Sequence, residues 1–200
     1  RSSDLFHKDL FRESIGLSKN DFAFIFIGRI VNDKGMHELV GAFSKLVPIY
    51  PHCKLILVGN FEHTLDPLDD KDLDFLQNDR NVKLMGYQRD VRPFLFAADA
   101  FTFPSYREGF PNVVMQAGAM GLASIVTNIN GCNEIIKNGE NGIIIPPRNT
   151  TELFTAIKDF VENPQKKQLM AEKAREMIRS RYEQRDVWNA LLKTYRELEK

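Results

Sequence analysis

The feature that most constrains this chain is a succession of short apolar runs, each separated from the next by residues at helical or turn spacing. Ala23-Phe24-Ile25-Phe26-Ile27 has no polar position on either face, which a strand tolerates when both faces of its sheet are covered. Shorter runs, mainly apolar but most carrying a Lys, Ser or Thr, follow in Lys54-Leu55-Ile56-Leu57-Val58-Gly59, Val82-Lys83-Leu84-Met85-Gly86, Ala100-Phe101-Thr102-Phe103, Ser124-Ile125-Val126-Thr127 and Gly142-Ile143-Ile144-Ile145-Pro146. Between the first two runs Met36, Leu39, Val40, Phe43 and Val47 recur at one-turn intervals until Pro48 and Pro51 close the segment. Strand and helix in alternation imply right-handed crossovers, hence an α/β fold with a Rossmann-like doubly wound parallel sheet of about six strands.

After the sixth run the pattern becomes helical. Asn149 is placed to cap a helix bearing Leu153, Phe154, Ile157 and Phe160, Asn163-Pro164 opens another, and Val187, Trp188, Leu191, Leu192 and Tyr195 stripe a last one. Residues 1–22 read as an irregular lead-in, polar with scattered aromatics. No repeat, low-complexity tract or Pro/Gly/Ser-rich linker divides the 200 residues, so one domain is expected, long enough to bury about 70% of its unfolded surface.

Charge excludes some partners. Lys and Arg number 27, as do Asp and Glu, so nothing global favours nucleic acid, and any phosphate binding must be local. Cys53 and Cys132 are far apart and lack metal-site spacing, which suits a reducing cytosol and two buried thiols. No apolar run approaches the ~20 residues that span a bilayer, and a cytoplasmic protein is expected.

Two loops carry the chemistry. In Pro104-Ser105-Tyr106-Arg107-Glu108-Gly109-Phe110-Pro111-Asn112-Val113-Val114-Met115-Gln116-Ala117 a strand ends in a polar turn and a helix begins. At the carboxyl edge of a parallel sheet that helix directs free N–H groups and its positive end toward the ligand crevice, so an anion is expected there. Glu108 lies in the turn, Gly109 permits close backbone approach, and Gln116 follows about two helical turns later. The second loop, Gly28-Arg29-Ile30-Val31-Asn32-Asp33-Lys34-Gly35, brackets the start of the first crossover helix with two cations, between which a pyrophosphate fits. A solvated basic loop is the plainer reading of that stretch alone.

The first of these stretches resembles the signature of the large family 4 of retaining glycosyltransferases, Glu-Gly-Phe-Pro followed by a second Glu with seven residues between the acids; this chain has Gln116 where the family has that second Glu. Positions 28–35 match the family's Gly-Arg, four residues, Lys-Gly segment. The resemblance runs from Asp21 to about Trp188 and implies the donor-binding, carboxyl-terminal half of a two-lobed GT-B enzyme. It implies Arg29, Lys34 and Glu108 as catalytic residues. The first two would hold the donor diphosphate and Glu108 would contact sugar hydroxyls. Gly28, Gly86, Tyr87, Gly109, Phe110, Pro111, Asn112 and Val113 are implied to line the donor site, with Gln116 on the ribose. The segment 127–134 and the turn 138–142 also resemble the family, and read as supports of the fold rather than as ligand contacts.

The function so implied is retaining transfer of a sugar from a UDP- or GDP-sugar to a glycan or lipid-linked acceptor, in polysaccharide biosynthesis, with a preceding lobe supplying the acceptor site and the isolated domain expected to be inactive without it. No metal or other cofactor is expected. That lobe lies outside this sequence, and through it the full protein is expected to associate peripherally with the inner face of a membrane. A GT-B epimerase or phosphorylase, and a nucleotide-binding module without activity, share the fold and stay open. Asp66, Asp69, Asp70, Asp72, Asp74 and Asp79 read as a solvated helix face rather than a metal site, and His7, His37, His52 and His63 as isolated. Dinucleotide, P-loop and nucleophile-elbow motifs are missing.

Overall fold

Apolar positions are consecutive, not alternating, along the central strands, and the computed structural model buries them accordingly. It describes residues 2–62, 64–182, 188, 192 and 194–196. Six strands, β1 (Phe22–Ile27), β2 (Cys53–Val58), β3 (Val82–Leu84), β4 (Ala100–Phe103), β5 (Ser124–Thr127) and β6 (Gly142–Ile145), form one sheet in the order β3-β2-β1-β4-β5-β6. All neighbouring pairs are parallel. Every residue of β4 and β5 is buried, which requires cover on both faces.

The helices supply that cover. They are α1 (Ser2–Ser14), α2 (Met36–Leu46), α3 (Asp70–Asn78), α4 (Arg92–Ala97), α5 (Asn112–Ala119), α6 (Cys132–Ile135), α7 (Thr150–Glu162) and α8 (Pro164–Tyr182). With this strand order, right-handed crossovers put α2 and α3 on one face and α5 and α6 on the other. Helix α7 packs on α2 and α8 on α5, so each face is closed by one helix from the carboxyl-terminal part. Asn149 caps α7 by accepting from the Glu152 amide at 3.0 Å, as its position predicts. Between the layers Phe24 meets Phe43 edge-on at 5.6 Å, and Phe26 stacks near Phe103 at 5.7 Å. Truncating any of these buried rings to Ala costs about 3–5 kcal/mol.

Residues 1–22 are not an irregular lead-in throughout, because residues 2–14 form α1. Phe11 packs on Phe94 of α4, with centroids 5.3 Å apart. Arg12, buried, donates to the carbonyls of Ala97 at 2.6 Å and Asp21 at 2.5 Å. A guanidinium buried on the inward stripe conceals the helical periodicity that an apolar residue there would show. The strands expected at 54–59, 82–86 and 142–146 end earlier, at Val58, Leu84 and Ile145. Pro146 has no N–H for the ladder, and Gly59 and Gly86 turn with positive φ. The last apolar stripe falls partly outside the described residues, at Val187 and Leu191; His63 lies outside them too. Trp188, Leu192 and Tyr195 are helical and exposed.

Candidate functional site: a crevice at the switch in strand order

Strand β1 lies between β2 and β4, and the chain leaves β1 toward one face and β4 toward the other. Ligands of open α/β sheets occupy the crevice that this reversal creates at the carboxyl edge. Both loops singled out in the sequence arrive there, and they are fastened together. Gly35 adopts φ +72°, and a Cβ on it would stand 2.1 Å from the Pro104 carbonyl oxygen, so only glycine lets the β1–α2 loop lie against the β4–α5 turn. The Tyr106 amide donates to the Asp33 carbonyl at 2.8 Å.

Across that seam Lys34 Nζ donates to Glu108 Oε1 at 2.6 Å, with the two side chains only 14% and 17% exposed. Ser105, fully buried, places Oγ 2.9 Å from the same carboxylate oxygen. Thr127 in turn donates from its hydroxyl to the Ser105 carbonyl. Glu108 is thus held at a set position by three elements, with its charge opposed by one ammonium.

Arg29 lies on the other side of the loop. It is exposed and makes no ion pair among the described residues. With Gly28, Gly59, Asn60, Tyr87 and Gln88 it lines a groove of about 330 Å³ beyond the ends of β1 and β2. The groove's floor is tight backbone, since a Cβ on Gly59 would stand 1.9 Å from the Gly28 oxygen. Val91 lines both this groove and an adjoining hollow of about 550 Å³ that Gln116 borders with Arg89 and Arg92. The first turn of α5 carries no acid and its cap residue, Pro111, makes no side-chain cap bond, leaving amides and a positive dipole end for an anion.

Residues 7–177 match the sequence model described as "Glycosyl transferases group 1". The chain belongs to that family. Among its group 1 relatives are the capsular polysaccharide biosynthesis glycosyltransferase CapM of Staphylococcus aureus, 30% identical over 90% of this chain and 47% of its own length. The UDP-Gal:alpha-D-GlcNAc-diphosphoundecaprenol alpha-1,3-galactosyltransferase of Escherichia coli is 30% identical over 74% of this chain and 39% of its own. The chain therefore spans about half the length, or less, of these relatives. In fold it is similar to Anabaena HepE crystallised with UDP, with TM-score 0.87 at 23% identity, over 96% of this chain and 53% of that one. Sucrose-phosphate synthase of Thermosynechococcus elongatus gives 0.81 at 23% identity, over 94% and 48%. The doubly wound GT-B domain expected from the sequence is the fold observed.

Within this group 1 domain the structure joins Lys34 to Glu108 and gathers Gly28, Arg29 and Tyr87 along one groove. Gly86 sits just behind, its carbonyl accepting from the Gly59 amide at 2.9 Å. Gly109 is exposed with open space around it, and Asn112 and Val113 begin α5. Phe110 turns instead toward Tyr182, at 5.7 Å, and Pro111 is buried against the Gly131 turn.

Other polar residues here escaped the sequence. Tyr106 donates from its hydroxyl to buried Glu38 at 2.6 Å, and Arg148 lies over the Tyr106 ring at 4.4 Å. Burial and Glu38 push the Tyr106 phenol above its ordinary range. The acidic segment is not simply a solvated face, nor is His37 isolated. Asp72 is buried and meets His37 Nδ1 at 2.7 Å, and Asp69 caps α3 by accepting from the Asp72 amide. The hydrogen bond to Asp72 raises the His37 pKa, while burial raises that of Asp72. His37, Asp69 and Asp72 bring possible metal-ligand atoms within 4.8 Å of one another, away from the groove's lining. Cys53 and Cys132 are buried free thiols, each pushed up to about 12 by burial, and so are unreactive near neutrality.

Proposed function

We propose that this domain binds the nucleotide-sugar donor of a retaining glycosyltransferase and needs no metal to do so. The observation that carries the reading is the fixed Lys34–Glu108 pair beside a groove containing an unpaired Arg29. A nucleoside sits in the groove, with the base near Tyr87 and the ribose near Gln116. The diphosphate reaches Arg29 and the open amides of α5, and Lys34 exchanges Glu108 for a phosphate oxygen. The freed Glu108 accepts from donor-sugar hydroxyls. Leaving-group charge is then met by preorganised cations and dipoles, the kind of term that dominates many enzymes' rate enhancement.

UDP in the HepE crystal and the diphosphoundecaprenol acceptor named for the Escherichia coli relative support a UDP- or GDP-sugar donor and a glycan or lipid-linked acceptor, in polysaccharide synthesis. In this reading a preceding lobe provides the acceptor site. It covers the exposed stripe of Trp188, Leu192 and Tyr195, and brings the cytoplasmic enzyme to the inner face of a membrane. Calorimetry of the 200-residue chain with UDP and GDP in a chelator tests the donor site. One nucleotide is expected to bind at millimolar concentration or below, and Arg29→Ala to weaken it by about 1.5–3 kcal/mol without lowering the melting temperature. Binding that appears only with a divalent cation, or in neither case, would sink the reading.

A further inference from the structure

The loop that bears Arg29 and Lys34 is fastened along its length to the loop between β2 and α3. Ile30 and Phe61 pair as an isolated parallel bridge, and the Ile30 amide donates to the Asn60 carbonyl at 2.9 Å. Further on, the Asn32 amide donates to the Asp66 carbonyl at 3.1 Å and the Asp33 amide to the Asp66 carboxylate at 2.6 Å. The Asn32 side chain adds a bond to the Pro67 carbonyl. We propose that Asp66 is a positioning residue for Lys34, setting the turn from which Lys34 reaches the donor diphosphate. The assignment rests on the function proposed above.

Asn32–Lys34 form a single 3-10 turn whose own cap residue, Val31, makes no side-chain cap bond. The Asp66 carboxylate fills that role from 33 residues away, accepting from the turn's second amide as an N-cap Asp would. The Asp33 peptide is thereby held on both sides, because its carbonyl accepts from the Tyr106 amide of the acid turn at 2.8 Å. Lys34 is the next residue, so these two bonds fix the direction in which its side chain leaves the loop. A lysine has a flexible four-carbon stem, and a fixed starting point narrows the positions that its ammonium visits once it leaves Glu108.

The backbone marks the same residue. Asp66 has φ 56°, one of two positive values at non-glycine positions among the described residues. Asp is among the few side chains that tolerate this region. Asp66 is exposed, so no burial of its own accounts for the conformation. Its consequence is that one residue offers its carbonyl and its carboxylate to the successive amides of Asn32 and Asp33. An outlier held by bonds to a cation-bearing loop points to a role in that loop's geometry.

The test is a double-mutant cycle of Asp66→Gly and Lys34→Met, singly and together, with UDP and with GDP. Amide shifts of the ¹⁵N-labelled chain, followed to about 50 mM nucleotide, keep weak binding measurable. Glycine removes the carboxylate but adopts φ 56° freely, so Asp66→Gly should melt close to the wild type. It should weaken the nucleotide about fivefold or more when Lys34 is present, and less than about twofold when Lys34 is already Met. Asp66→Asn keeps an acceptor and tolerates the conformation, so it should bind within about twofold of the wild type, or more tightly.

The proposal is overturned if Asp66→Gly binds nucleotide as the wild type does, or if Asp66→Asn loses as much as Asp66→Gly. It is equally overturned if Asp66→Gly costs the same factor in both backgrounds, as a general loosening of the groove would. A wild type that binds neither UDP nor GDP would remove the donor reading and this inference with it. A wild type that binds, with no coupling in the cycle, would remove the inference alone.

Discussion

Lys34 and Glu108 are each more than four-fifths buried, so neither charge is stabilised mainly by water. Removing one partner strands the other, and for buried pairs that loss exceeds what the pair itself contributes. Lys34→Met is therefore expected to destabilise the domain by about 1–3 kcal/mol, less than for a fully buried pair because both side chains keep some solvent contact. Adding Glu108→Gln should recover part of that loss. Alone, Glu108→Gln should tighten UDP by up to about 1 kcal/mol, because Lys34 no longer has to leave a carboxylate and the phosphates meet one negative charge fewer. On the proposed reading, in which Glu108 meets donor-sugar hydroxyls, the same change should also lower transferase turnover, since the amide no longer presents a charged acceptor. Urea denaturation and calorimetry read the two effects separately. Weaker UDP binding in Glu108→Gln would show that the carboxylate orders Lys34 for phosphate rather than withholding it.

The β1–α2 loop and the β4–α5 turn act as one body because glycine lets their backbones touch. Gly35→Ala meets both an unfavourable φ and the Pro104 oxygen 2.1 Å away, so a loss of about 2–4 kcal/mol is expected in urea, with UDP affinity falling as the seam opens. An Ala variant of wild-type stability would mean that the two loops part at little cost. Elements of this kind were only half legible in the sequence. The strands at 100–103 and 124–127 appear where short, mainly apolar runs put them, because burial on both faces admits only small hydroxyl residues among the apolar ones. The two cation- and acid-bearing loops were legible from their residue types and their place after strands. Helix α1 was hidden by Arg12 on its buried stripe, and the Tyr106–Glu38 bond by a separation of 68 residues. Asp72 looked like its exposed acidic neighbours because sequence records charge, whereas its burial depends on how α3 packs against α2.

At the scale of the molecule, the His37–Asp72 contact joins the two crossover helices on one face of the sheet, α2 and α3, and makes folding depend on pH. His37 is raised from its ordinary 6.5 first by the hydrogen bond to Asp72, then by the charges of Asp72, Glu38 and Asp69, against some burial. Asp72 is raised from 3.8 because burial outweighs the opposing effects of His37 and Lys71. Both shifts mean that the folded chain binds more protons than the unfolded one, so each favours stability at lower pH. For His37 the contribution is complete below 6.5 and disappears as pH rises through its raised folded value. The melting-temperature advantage of wild type over His37→Gln should therefore be larger at about pH 6 than at about pH 8.5. Because the imidazole is 60% exposed, that advantage should be modest and should shrink with added salt. Asp72→Asn should remove most of its pH dependence, since the carboxylate that contributes most to holding the proton on His37 is then gone and only the charges of Glu38 and Asp69 remain. An advantage that is constant with pH, or that grows toward alkaline pH, would mean that the contact is a neutral hydrogen bond and that the tie between these helices does not titrate.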